Sequence, residues 1–312
     1  MCRPLSFGAV IGLVMIAGRL AAAPAVSSVE QAQQLAPAFP PAPDTPHADS
    51  DLPASAAGDP DDDSFGCQQI LKGVNRIPPF DAFASLSALF TNNVAMTHRD
   101  THSDAFLVAT FGLSTTHNIT DRLSLNLTAG ASLFRYARFD GFDMDSLDAG
   151  AGLAYQMPKL WDSSLFVRYS FSDLLTDRSY REFYENHDFT LGVEKNFGLS
   201  RALSLTAGFD ADFNLSDPVD LQQDSVGAYA GIEAALTSRL QADLYYRFAY
   251  QCYTEGKRRD ENHLLTLSLQ YKIANWFSIV GTTYFTVNQS NEEVYSYEEL
   301  VDGLGVSANI AF

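Results

Sequence analysis

The chain reads as all-β: a single closed antiparallel barrel of about twelve membrane-spanning strands, preceded by a disordered N-terminal segment. Three observations predict this. Apolar and polar residues alternate in run after run between residues 82 and 312, the period of a sheet with one oily and one wet face. The connections between runs are alternately tight and long. No stretch after Ala82 stays apolar for the ~20 residues a membrane helix requires.

Taking the chain in order, residues 1–25 read as an export signal: Arg3 opens it, Leu5 to Gly18 is apolar but short for a bilayer, and Ala23-Pro-Ala25 offers small residues for cleavage before Val26. Cys2 precedes the apolar run, so it is not a lipoprotein anchor. Without the signal, 18 basic side chains face 38 acidic ones, a net of −20. That balance excludes nucleic acid as a partner, because phosphate backbones are bound by clustered Lys and Arg. Residues 26–64, rich in Pro, Ala and Asp and ending in Asp59-Pro-Asp-Asp-Asp63, hold too few large apolar side chains to build a core. Residues 65–81 are a lead-in to the barrel or a plug for it. Cys67 and Cys252 are too far apart in sequence for metal-site spacing, and they face opposite sides of the membrane unless the lead-in threads the lumen.

The barrel domain, 82–312, divides into runs at 82–95, 104–117, 122–137, 145–157, 163–173, 186–197, 202–214, 225–236, 239–250, 262–273, 276–287 and 300–312. Each is long enough for a tilted crossing, which needs ~9–11 residues. The pattern is clear in Leu123 to Leu133, where Leu and Ala occupy odd positions and Ser, Asn, Thr and Gly the even ones. Leu203 to Phe213 repeats it, with Asp210 and Asp212 on the wet side. The links after even runs are tight, as in Thr237-Ser238 and Ala274-Asn275, while Leu174 to Glu185 and Gln251 to Glu261 read as long charged loops. Tyr155, Trp161, Phe197, Tyr271, Trp276 and Phe312 fall near the tight-turn boundary. Phe90, Phe171, Phe213, Tyr250 and Phe285 fall near the other, as two aromatic girdles would.

With these features the chain resembles the outer-membrane β-barrel proteins of Gram-negative bacteria. The resemblance covers 82–312 and rests on the strand pattern and on the last run, where Leu304, Val306, Ala308, Ile310 and Phe312 share one face. It implies an outer-membrane location with both termini periplasmic, and lipid and lipopolysaccharide as surroundings. It also makes Val306, Ala308, Ile310 and Phe312 the signal read by the barrel-assembly machinery. The oligomeric state is left open.

The wet faces predict the lumen wall. Pore-lining candidates are Asp148, Asp188, Glu194, Asp210, Asp212, Glu233 and Asp243 against Arg168, Arg247 and Lys272, a net of −4. Like charges opposed across strands need a counter-charge, and Arg168 is the base expected nearest to Asp188 and Asp212. Two meanings stand: a salt-bridge network that stiffens the wall, or a cation-selective constriction. The wet faces are also rich in glycine, which leaves room for neighbours such as Tyr229 and Tyr245.

Catalysis has one foothold, His98-Arg-Asp100-Thr-His102-Ser-Asp104 with His187-Asp188. No nucleophile elbow, zinc spacing or outer-membrane phospholipase signature accompanies it. Asp140 to Asp145 lacks the ligand spacing of a calcium loop. Lys257-Arg-Arg259 reads as a solvated loop rather than a contact to lipopolysaccharide phosphate. No catalytic, metal or cofactor residue is assigned. The expectation is a passive, mildly cation-preferring channel for small solutes or a surface structural protein. An autotransporter-like secretion barrel is the alternative, and a loop-borne hydrolase using the histidines is a more distant one.

Overall fold

A computed structural model describes residues 80–176 and 180–312. The export signal, the segment 26–64 and residues 65–79 with Cys67 lie outside the described residues. The strands are β1 (Phe80–Thr91), β2 (Asp104–Asn118), β3 (Leu123–Tyr136), β4 (Met144–Met157), β5 (Ser163–Thr176), β6 (Glu182–Ser200), β7 (Leu203–Asp217), β8 (Gln223–Ala235), β9 (Leu240–Tyr253), β10 (Arg259–Ala274), β11 (Phe277–Ser290) and β12 (Tyr297–Ala311). Each pairs with its sequence neighbours, and β1 pairs antiparallel with β12, closing the barrel. At the seam Ala84 lies opposite Ala308 and Leu86 opposite Val306. Phe80 N–H donates to Phe312 O at 3.2 Å, and Phe312 N–H returns the bond at 2.9 Å.

Closure is what an oily exterior demands, since hydrocarbon satisfies no free strand edge. The outward face is that exterior: Leu107, Phe111 and Leu113 on β2, Phe209 and Phe213 on β7, and Leu265, Leu267 and Leu269 on β10 are all exposed. A protein in water does not display such a continuous apolar wall. The expected assignment of faces therefore holds, and so does the strand count.

The strand limits differ from expectation in an informative way. β1 stops at Thr91, and residues 92–95 turn inward instead of continuing the strand. The segments 174–185 and 251–261, read as long loops, are largely strand: β5 runs to Thr176 and β6 starts at Glu182, while β9 runs to Tyr253 and β10 starts at Arg259. Cys252 accordingly sits inside β9, not beyond its end, and forms no disulfide among the described residues. Strands that project past the bilayer have water on their outer side, so their outward positions become polar and the oily-out alternation ends.

The β5–β7 rim makes this concrete. The outward row of β5 is apolar to Phe171 and then meets Asp173. On β6 it passes from Phe189 to His187 and Glu185, and on β7 from Leu215 to Asp217. Asp173 lies opposite Glu185, and Glu185 opposite Asp217. Above the apolar band, burial and then Glu185 push the Asp173 carboxyl above its ordinary value of 3.8. Glu182 is raised too, first by Asp173. A raised carboxylate stabilises the fold fully below its ordinary value and loses that contribution as pH rises through the folded one. Asp173→Asn is therefore expected to raise the unfolding midpoint at neutral pH and to leave it unchanged near pH ~3, where the parent is itself protonated. Equal midpoints at neutral pH would remove the repulsion argument.

The loop end of the lumen holds the protein's apolar core. Leu89, Phe106, Val108, Phe134, Tyr136, Met144, Leu174, Tyr184 and Val301 turn inward near the loop-side ends of β1–β6 and β12, and Val94 and Phe142 descend on them from the first two loops. Phe106 stacks on Tyr136 with ring centroids 4.9 Å apart. The first loop (92–103) enters this cap through fixed hydrogen bonds. The Asn93 side chain donates to Thr97 O at 2.9 Å and to Glu298 O at 3.0 Å, and Val94 N–H donates to His102 O at 2.8 Å. Asp104 ties down the second loop by accepting from the backbone N–H groups of Arg138 and Phe139, each at 3.1 Å.

Candidate functional site: a charged lumen beneath an apolar cap

Below the cap the inward faces are polar. Their densest constellation lies on β6 to β9, where the central inward positions of four neighbouring strands carry charge or hydroxyl groups. One terminal nitrogen of Arg247 on β9 donates to Asp210 Oδ1 at 3.0 Å and to Asp212 Oδ2 at 2.8 Å, both on β7. Ser225 on β8 donates to the same Asp212 oxygen at 2.7 Å. The strand between them has to stay out of the way. A Cβ on Gly227 would collide with Asp210 Oδ1 and crowd Arg247, so the β7–β9 bridge passes over β8 only because residue 227 has no side chain.

Arg247 and Arg168 both attract Asp188, while the base bonded to Asp212 is Arg247. The reason is register. Arg247 lies opposite Tyr229 on β8, and Gly227, two residues along, opposes Asp210, so the long guanidinium arm reaches diagonally across a vacated position. Arg168 on β5 instead lies over the Phe166 ring at 5.3 Å. Asp188 on β6 accepts from Thr190 at 3.0 Å, while its other oxygen is buried without a hydrogen-bond partner. It feels the repulsion of Asp212 and the attraction of Arg247 and Arg168.

Further toward the tight turns, Tyr229 donates to Glu194 at 2.8 Å across β7, its ring lying where a Cβ of Gly208 would be. Tyr245 packs beside Tyr229 at 6.0 Å between centroids. The expectation that tyrosines fill glycine gaps therefore holds at Gly208. Glu233 and Asp243 stand directly opposite one another on β8 and β9, and Gln241 donates to Asp243 at 3.1 Å. Lys272 is exposed at the turn-side end of β10. Asp148 stands apart on β4, accepting from Ser146 and Ser172, both at 2.7 Å. Of the ten wall candidates, Arg247, Asp210 and Asp212 form one bonded knot, with Asp188 and Arg168 nearby. Glu194, Glu233, Asp243 and Lys272 lie toward the turns, and Asp148 stands apart.

Sequence reasoning missed a second set of inward acids inside the cap. Glu299 accepts from Thr91 at 2.6 Å. Asp260, 0% exposed, accepts from Arg258 Nε and Asn288 Nδ2, each at 2.9 Å. Arg258 is not solvated, as its loop suggested: it is buried between the Tyr253 and Tyr295 rings, 3.9 Å from each centroid. The missed signal was parity: Asp104 already opens the inward row of the expected second run, and Asp260 and Glu299 extend the inward rows of β10 and β12 by two residues and one.

The histidines do not converge. His98 lies 3.3 Å from Glu293, and the His102 ring packs on Phe139. His187 is on the outer wall between Tyr169, at 2.8 Å, and Glu185, at 3.1 Å. Among the described residues no three His, Cys, Asp or Glu are placed to hold a metal ion.

No family model matches the chain, and no curated protein matches it. Among solved structures, an outer membrane channel from Pseudomonas putida F1 is similar with a TM-score of 0.54 at 12% identity, covering 75% of this chain and 96% of that one. The chain has the fold of a Gram-negative outer-membrane β-barrel protein. This outer-membrane barrel is also similar to an anion-selective porin from Comamonas acidovorans, at a TM-score of 0.41 and 9% identity over 74% of this chain and 98% of that one. The translocator domain of the autotransporter NalP from Neisseria meningitidis gives 0.41 and 11%, over 75% and 90%. Identities this low speak to the barrel fold alone, so what the barrel does rests on its own wall and cap.

Proposed function

We propose that this barrel is a passive outer-membrane channel for small solutes that prefers cations. Both termini face the periplasm, and the capped loop end faces outward. The observation that carries the reading is the inward surplus of acid: seven carboxylates against three bases on the wall, with Arg247 already committed to Asp210 and Asp212. A low-dielectric wall focuses that surplus on whatever enters the lumen. The tight turns at one end and the loops at the other support the orientation. Lipid and lipopolysaccharide surround the outward face. Val306, Ala308 and Ile310 on the outward face of β12, with Phe312 just past its end, serve the barrel-assembly machinery.

The test is reversal potential in planar bilayers under a salt gradient. Cation preference is expected, and it should weaken in the combined Asp188→Asn, Glu194→Gln, Asp243→Asn variant. Anion preference in the parent, or selectivity unmoved by the three substitutions, would overturn the reading. The apolar cap favours a second one, a surface structural protein with a sealed lumen. It is distinguished by silence both with the cap in place and with it removed.

A further inference from the structure

On β5, β8 and β9 aromatic rings lie along the lumen wall. Phe166 covers Gly192 and Tyr229 covers Gly208, each where a Cβ would collide with the tip of the ring. Tyr245 stands opposite Gly231, and its ring passes 3.4 Å from where that Cβ would be. The Tyr229 and Tyr245 centroids are 6.0 Å apart. A ring laid along the wall turns one face to the strand beneath it and the other to the lumen.

Carboxylates flank the tyrosine pair. Glu194 accepts from the Tyr229 hydroxyl at 2.8 Å. Asp243 is the next inward residue of β9 toward the tight turn and accepts from Gln241 at 3.1 Å. Arg247, the next inward residue on the loop side, is committed to Asp210 and Asp212. The protein's own side chains show which cation suits a ring and a carboxylate together. Arg258 lies between the Tyr253 and Tyr295 rings, 3.9 Å from each centroid, and donates to Asp260. Arg168 lies 5.3 Å over Phe166. Both are organic cations, which ring faces attract. A hydrated alkali ion gains from the carboxylates and little from the rings.

We propose that Tyr229 and Tyr245, with Glu194 and Asp243, form a lumenal site for small alkylammonium ions, preferred to alkali cations of equal charge. The inference deepens the cation-preferring reading of the lumen and rests on it. The test is titration of the purified full-length protein, in an uncharged detergent, with n-butylammonium followed by saturation-transfer NMR and potassium as competitor. The parent is expected to bind butylammonium about tenfold more tightly than potassium. Tyr245→Phe retains a ring face and should retain the preference, whereas Tyr245→Leu should bring the two cations level. Equal affinities in the parent, a preference kept in Tyr245→Leu, or one lost in Tyr245→Phe would each overturn the proposal. The titration needs no current, so the two readings fail separately. A barrel that prefers cations in bilayers yet binds both probes alike sinks the ammonium site alone, while anion preference in bilayers sinks the reading beneath it.

Discussion

Replacing residues 93–97 of the first loop by a short glycine–serine bridge is expected to raise single-channel conductance severalfold. The wall does not need this segment, because every strand finds its partners in the two neighbouring strands. The cap does need it. Val94 is 1% exposed and contributes about 1.5–3 kcal/mol by burial, and Asn93 holds both Thr97 and the backbone at Glu298. Without them the inward faces of Phe106, Phe134 and Val301 meet water instead of the loop, and the loop end of the lumen widens. The outer limb of the same loop is a useful contrast. Arg99 reaches Glu293 at 2.8 Å, but both side chains are mostly exposed, 78% and 68%, and such pairs contribute little. Arg99→Ala should leave conductance where it was. Identical conductance in the parent and in the bridged variant would show that the inner limb does not obstruct the path. Silence of both would favour the sealed structural barrel.

The contrast between cap and wall also explains what was legible in the sequence. Strands spanning hydrocarbon carry a strict rule, oily out and polar in, and runs such as 123–133 and 203–213 state it in every residue. Twelve strands and their pairing order followed from that rule. At the loop end the rule reverses. Phe106, Val108, Phe134, Tyr136, Met144, Leu174 and Val301 are apolar on the inward side, while Asp173, Glu185 and Asp217 are acidic on the outward side. Period-two reading counts such residues as the end of a strand, so β5 and β6 were expected too short and the cap went unrecognised. Consecutive strands with inverted parity at the same end would have revealed it. The knot at Arg247 was illegible for a different reason: a diagonal contact over a glycine depends on register across three strands, and register is fixed by all the turns together.

Arg247→Leu is expected to be the most destabilising single change in the wall. It leaves Asp210 and Asp212, with side chains only 10% and 15% exposed, facing each other and Asp188 with no bonded base. Removing one partner of a buried charge pair costs about 3–5 kcal/mol, and water in the lumen should hold the loss toward the lower end. Loss of the charge and loss of packing are separable here. Arg247→Leu combined with Asp210→Asn and Asp212→Asn should recover most of the unfolding midpoint, because neutral amides no longer repel, whereas a packing defect would persist. Selectivity should move differently. The single variant adds net negative charge to the wall and should prefer cations more strongly than the parent. In the triple variant the loss of one base and two acids should make that preference weaker than in the parent. A single variant as stable as the parent would mean that the two aspartates are held apart by something other than Arg247. A triple variant as unstable as the single one would assign the guanidinium a packing role over Gly227 in place of an electrostatic one.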